Sequence, residues 1–151
     1  MAFVRDRFTQ MLKGVFSAGH IIELFTVMPP NDSGADGTRL SGAEYTPYKI
    51  TDDDFKIEDA VLESARNIML YLCDTEDKNY EVTAVGFGVY TSNSLGRGDK
   101  LLYYGQFENP MKIGYNTVPT IKKYSASKRE GIKITVTNNE EPLEDLNASA
   151  E

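Results

Sequence analysis

The chain has no tryptophan, one cysteine (Cys73) and one histidine (His20) among its 151 residues. A single cysteine excludes an internal disulfide framework. One histidine with one cysteine also excludes a zinc centre built from several such ligands. No stretch approaches the roughly 18 consecutive apolar residues of a membrane-spanning helix, so no membrane partner is expected. The opening MAFVRDRFTQMLKGVF spreads charge among its apolar residues. It lacks the continuous apolar block of a secretory signal, so the expected route is synthesis in the cytoplasm without export by such a signal.

Catalytic chemistry is equally sparse. Nucleophilic catalysis needs an activated nucleophile and an orienting base. His20 begins an apolar stretch beside Gly19, where a structural histidine is the simpler reading. Cys73 follows apolar residues and reads as a small buried side chain. Gly86–Phe87–Gly88 lacks the third glycine and following helix of a dinucleotide site. Asp32 and Asp36 in a Gly-rich loop, and the run Asp52–Asp54, offer oxygen ligands. Neither shows the spacing of a calcium loop, and both read as turn chemistry. Asn147–Ala148–Ser149 matches a glycosylation acceptor but has no secretory context. These residues predict no enzyme, no cofactor and no metal.

What is present is a soluble, tyrosine-rich composition, with nine Tyr, seven Phe and a formal charge of −7. The charge is uneven. Residues 138–151 hold Glu140, Glu141, Glu144, Asp145 and Glu151 and no basic residue. Without those five acids, 18 acidic side chains face 16 basic ones, and the body carries −2. Such a balance argues against nucleic acid as a partner. Lys122, Lys123, Lys128 and Arg129 form the one basic cluster and read as a solvated hairpin.

Periodicity divides the chain into three parts: an N-terminal helix over residues 1–19, a β domain over 20–137 and a flexible acidic tail over 138–151. Val4, Phe8, Met11, Leu12, Val15 and Phe16 share one helical face between Val4 and Ser17. That stripe covers either the domain's own sheet or a partner, and is the candidate oligomer interface. Deleting residues 1–17 is accordingly expected to impair assembly more than folding. His20–Val27 reads as a strand ended by Pro29 and Pro30, Met28–Gly42 as a long exposed loop, and Glu44–Ile50 as an edge strand. Residues 60–72 fit a helix by propensity, or two short strands at Ala60–Leu62 and Asn67–Leu72. Tyr80–Tyr90 is a strand whose Gly86 and Gly88 suggest a bulge or a close backbone approach. Thr91–Asp99 is a turn and Lys100–Phe107 a strand. Asn109–Pro110 is a break, and Met111–Tyr115, Val118–Tyr124 and Gly131–Thr137 are shorter strands. The class is mainly β, an antiparallel β-sandwich of jelly-roll or Greek-key character.

Several of these segments, in order, resemble a family of small β domains from tailed bacteriophages, the tail fibre and minor tail structural proteins. The likeness runs from about Met11 to Thr137. It rests on IIELFTV after the short helix and on the turn-rich Asn31–Ile50 with Gly42 before Tyr45. It rests further on VTAVGFGVYTSNSLGRGDKLLYYGQF, with Gly86, Tyr90, Leu101, Leu102 and Gly105, and on the closing GIKITV. The resemblance implies strands rather than a helix at 60–72. It also implies a virion structural protein without a catalytic role, an oligomeric tail fibre or tail-associated adaptor module. Such modules are often trimers, and the partners are then sister copies and other phage virion proteins. A capsid decoration or head-fibre anchoring protein is the neighbouring alternative. A carbohydrate- or receptor-binding module is an alternative of another class. It would present Tyr90, Tyr103 and Tyr104 to a host surface glycan, because tyrosine offers large contact area at low entropic cost.

Overall fold

The computed structural model describes residues 3–41, 47–70, 76–115 and 117–138. Predictions that fall on Gly42, Tyr45, Cys73, Asn147–Ser149 and the tail beyond Asn138 lie outside the described residues.

Helix α1 spans Arg5–Val15, with Asp6 in its first turn and Lys13 in its last, the arrangement that suits the helix dipole. Gly19, with φ +94°, turns the chain after it. His20 Nδ1–H donates to the Val15 carbonyl at 2.9 Å, satisfying an acceptor at the helix end. The histidine thus has a structural task.

The rest of the described chain is strand and turn. Strands are β1 (Ile21–Val27), β2 (Thr38–Arg39), β3 (Tyr48–Lys49), β4 (Phe55–Glu58), β5 (Val61–Ser64) and β6 (Ile68–Met69). They continue with β7 (Glu81–Ser92), β8 (Gly98–Gly114), β9 (Thr120–Ile121) and β10 (Lys133–Thr135). All pairings between them are antiparallel. The largest sheet runs β2-β1-β7-β8, and β3 joins the same edge of β1 as β2, at its other end. A second sheet runs β10-β5-β4, and β6 pairs with β9. Ile22, Leu24, Ala84, Val89 and Ile113 of the large sheet pack against Leu62, Ile68 and Ile121 of the other two. The result is a mainly β, sandwich-like body with one short N-terminal helix.

The described part of this stretch, residues 60–70, holds two short strands and no helix, which decides between the two readings of the sequence. The helix-forming Ala, Leu, Glu and Arg are overruled by pairing: β5 lies between β4 and β10, with Leu62 opposite both Ile57 and Ile134. The β4–β5 hairpin turns on Asp59 (φ +50°) and Ala60 (φ +62°), the two positive-φ central residues of a two-residue hairpin of the type usually filled by Asn-Gly. Ala60 is held there because its N–H donates to Thr9 Oγ1 of α1 and its carbonyl accepts from Val136 N–H. The predicted break at Asn109–Pro110 is instead part of β8. Gly86 pairs with Gln106 and Ala84 with Met111, so residues 107–110 form an excursion opposite Val85. An edge strand tolerates proline at such a bulge.

The helix stripe is divided. Leu12 and Phe16 are buried in this chain's own core, Phe16 against the rings of Phe55 and Tyr103 at 5.1 and 5.4 Å. Val15 packs beside them. Leu12 and Phe16 are therefore not available as an oligomer interface, because the sandwich needs them to close its own end, and Val15 is half-buried. Phe8 is half-buried against the Phe3 ring, at 6.1 Å. Val4 and Met11 stay 66% and 50% exposed, beside Phe3 at 71%. Deleting residues 1–17 would thus remove core side chains together with the exposed ones. Phe16→Ala is expected to lower the free energy of unfolding by about 3–5 kcal/mol, read by urea denaturation. Met11→Ala should move the midpoint far less, since half of that residue is exposed.

Candidate functional site

Strand β1 is buried on both faces from Ile21 to Phe25. Ile22 and Leu24 face the main core, while Ile21 and Phe25 form a second cluster with Tyr90, flanked by Met28, Leu101 and Tyr104. Glu23, on that second face, is only 1% exposed. A buried carboxylate is tolerable only if paired and hydrogen-bonded. Arg39 supplies the pair: its NH1 lies 2.8 Å from Glu23 Oε2 and 2.7 Å from the Gly98 carbonyl. The Gly98 N–H donates to the same Oε2 at 3.1 Å. Arg39 Nε reaches Asp36 Oδ2 at 2.9 Å, and Tyr90 donates its hydroxyl to Asp36 Oδ1 at 2.6 Å. The guanidinium also lies 4.0 Å from the Tyr90 ring centroid, a cation–π contact.

This network ties the segment after β1 back onto the outer face of β1 and β7. Gly98 is required at its centre, since a Cβ there would stand 2.6 Å from Glu23 Oε2 and 2.7 Å from Tyr90 Cγ. Gly86 serves the same packing where Met28 and the Gly105 backbone crowd it. The expectation of a bulge and a close approach at Gly86 is met by both the register shift and this crowding. The stretch predicted as a long exposed loop is exposed only over its middle. Pro29 and Leu40 are buried, and β2 forms within it.

Of the three tyrosines proposed to face a receptor, Tyr90 is 0% exposed. It cannot contact a glycan, because its ring fills the second cluster and its hydroxyl is bound to Asp36. Tyr103 packs against Phe16 and Phe87 in the main core, and Tyr104 is half-buried on the second cluster. No shared aromatic platform results. Glu23 and Tyr90 are the functional-looking residues that sequence reasoning misassigned or missed. The signal for Glu23 was a lone charge inside an otherwise apolar strand.

A second buried carboxylate, Asp54, accepts from Tyr48 Oη (2.9 and 2.8 Å), Thr51 N–H (2.8 Å) and Arg66 Nε (2.8 Å). The Asp52–Asp54 run is thus split, with Asp54 locking the β3–β4 turn and Asp52 and Asp53 exposed. Among the described residues, no group of three His, Cys, Asp or Glu side chains could hold a metal ion. No helix among them is long and apolar enough to cross a membrane.

Two surface depressions are open and mainly polar. One lies under the end of α1, between Lys13, Phe16, Thr51, Asp52 and Phe55. Another, of about 540 Å³, is bordered by Lys122, Lys123, Lys128, Asn67, Tyr124 and Glu130. Three of the four residues of the basic cluster, Lys122, Lys123 and Lys128, therefore border one groove, while Arg129 lines a neighbouring depression. Neither depression contains the nucleophile–base pair that catalysis needs. No protein-family model, curated protein or solved structure matches the chain.

Two outcomes test this site. Arg39→Ala strands Glu23 unpaired and is expected to destabilise by about 3–5 kcal/mol in urea denaturation. Adding Glu23→Gln should recover a large part of that loss, because the amide still accepts from Gly98 and no longer needs a cation. The tyrosines set the alkaline limit. Burial, then the hydrogen bond to Asp36, holds the Tyr90 hydroxyl far above the usual tyrosine range. Burial also raises Tyr103, and burial with the bond to Asp54 raises Tyr48. The folded state keeps these protons when the unfolded chain gives them up. Stability is therefore fully present below about pH 10, the unfolded tyrosine value, and falls as pH rises above it. Tyrosinate absorbance should show these three residues ionising only together with loss of β structure.

Proposed function

We propose that the protein is a bacteriophage virion structural protein, a self-associating module of the tail-associated adaptor kind. The observation that carries the reading is the split stripe of α1. Leu12 and Phe16 root the helix rigidly in the sandwich, while Phe3, Val4 and Met11 stand outside it. A helix anchored by half of its apolar face presents the other half in fixed geometry. Apolar side chains held this way favour association with another protein surface. The N-terminal segment is pinned further by the Phe3 N–H donating to Asn138 Oδ1 at 2.9 Å and Asn138 Nδ2 donating to the Phe3 carbonyl at 2.8 Å. The segment entering α1 and the one leaving β10 thus form one surface. The sequence resemblance to tail fibre and minor tail proteins supports assigning that surface to virion assembly, with sister copies as the first partners.

Light scattering on the purified chain tests the reading. A mass that is a stable multiple of 16.9 kDa is expected. Val4→Glu with Met11→Glu should shift that mass toward the monomer without lowering the melting temperature. A wild-type chain that stays monomeric at high concentration contradicts the proposal.

A further inference from the structure

A basic groove lies on the surface of a chain whose segment after Asn138 is acidic. The hairpin carries Lys122, Lys123, Lys128 and Arg129 against one acid, Glu130. This is a concentrated positive field on a chain of net charge −7. The frame beneath it is fixed. Ser125 and Glu130 exchange backbone hydrogen bonds at 2.9 and 3.2 Å, closing the hairpin. Lys123 N–H donates to Asn67 Oδ1 at 2.8 Å, and Ser64 Oγ donates to the Lys122 carbonyl at 2.8 Å. Gly131 (φ +85°) lies against the Tyr124 backbone, where a Cβ would come within 2.5 Å of Cα. Lys122 lies 3.3 Å from Glu130, an exposed pair of small value.

We propose that this groove binds an acidic peptide segment, namely residues 139–151 of a second copy. This rests on the self-association reading and names a contact for it. Those thirteen residues hold five carboxylates and no base, and Leu143 and Leu146 offer apolar contacts for the Tyr124 ring on the groove wall. The direction of the chain favours a neighbour over the chain's own groove. Ile132 bonds to Ser64 and Val136 to Ala60, so the backbone runs straight away from the hairpin. By Asn138, where Phe3 clamps it, the chain is roughly 20 Å from the groove, at about 3.3 Å per extended residue. The segment that follows would have to double back over that distance to reach its own groove. A sister copy's groove carries no such constraint.

A charge swap in the full-length chain tests this, with association followed by light scattering at about 0.1 M and about 1 M salt. Lys123→Glu with Lys128→Glu alters only exposed side chains. It should weaken association at the lower salt at least tenfold, as should Glu140→Lys with Glu141→Lys and Glu144→Lys. Both sets combined in one chain should restore it. Association in the wild type that neither reversal moves overturns the tail contact and leaves self-association standing. Failure of the combined chain to recover also overturns the contact. A wild type that is monomeric at both salts overturns the contact and the self-association reading together. A labelled peptide of residues 138–151 should bind the full-length chain. A groove that instead takes up a single-stranded oligonucleotide and ignores the peptide overturns the proposal.

Discussion

A strand buried on both faces must be covered twice, and β1 is such a strand. On one side the core supplied by β5, β6, β9 and α1 meets Ile22 and Leu24. On the other, the described residues form no second sheet. The chain covers it by turning back after Val27 and laying Met28, Pro29 and the β2 segment against Phe25 and Tyr90. That cover is thin, and the Glu23–Arg39 pair fastens it. Arg39 is 26% exposed, so one end of the pair still touches water while Glu23 does not. Removing a buried charge's partner is costly, whereas the intact pair adds little beyond an apolar substitute. The pair is better understood as fixing which way the segment lies than as a large source of stability.

The same economy explains the glycines and the divided helix. Gly86 and Gly98 exist so that side chains from the returning segment can approach the sheet. On the opposite side, α1 gives Leu12 and Phe16 to the core and keeps Val4 and Met11 outside. One helix therefore carries both residues that close the body and exposed apolar residues. This separation lets the proposed contact surface change without disturbing the core.

Much of the fold was legible. The strands β1, β7 and β10 announced themselves through β-branched and aromatic residues, and the helix through its spacing and Gly19. Residues 60–72 were ambiguous because the turn at Asp59–Ala60 lacks glycine, and the cause of its conformation, Thr9 on α1, is fifty-one residues away. Pro110 looked like an end because sequence does not reveal that an edge strand can absorb a bulge. The site was less legible. Tyr90 looked like a surface aromatic at a strand end. Its burial depends on Asp36 and Arg39, which turn-forming neighbours disguised as part of a solvated loop. The division of the α1 stripe could not be read from spacing either, since both halves have the same period.

The central claim is that the returning segment and β1 form one cooperative unit, sealed rather than loosely draped. Native-state hydrogen exchange measures this most directly. Leu40 N–H donates to the Leu24 carbonyl at 2.8 Å, so its amide reports on the cover, while the amides of β1 paired with β7 report on the sheet. The account predicts that both exchange only through global unfolding, with the same free energy and the same denaturant dependence. A Leu40 amide that exchanges orders of magnitude faster than those of β1 would contradict it.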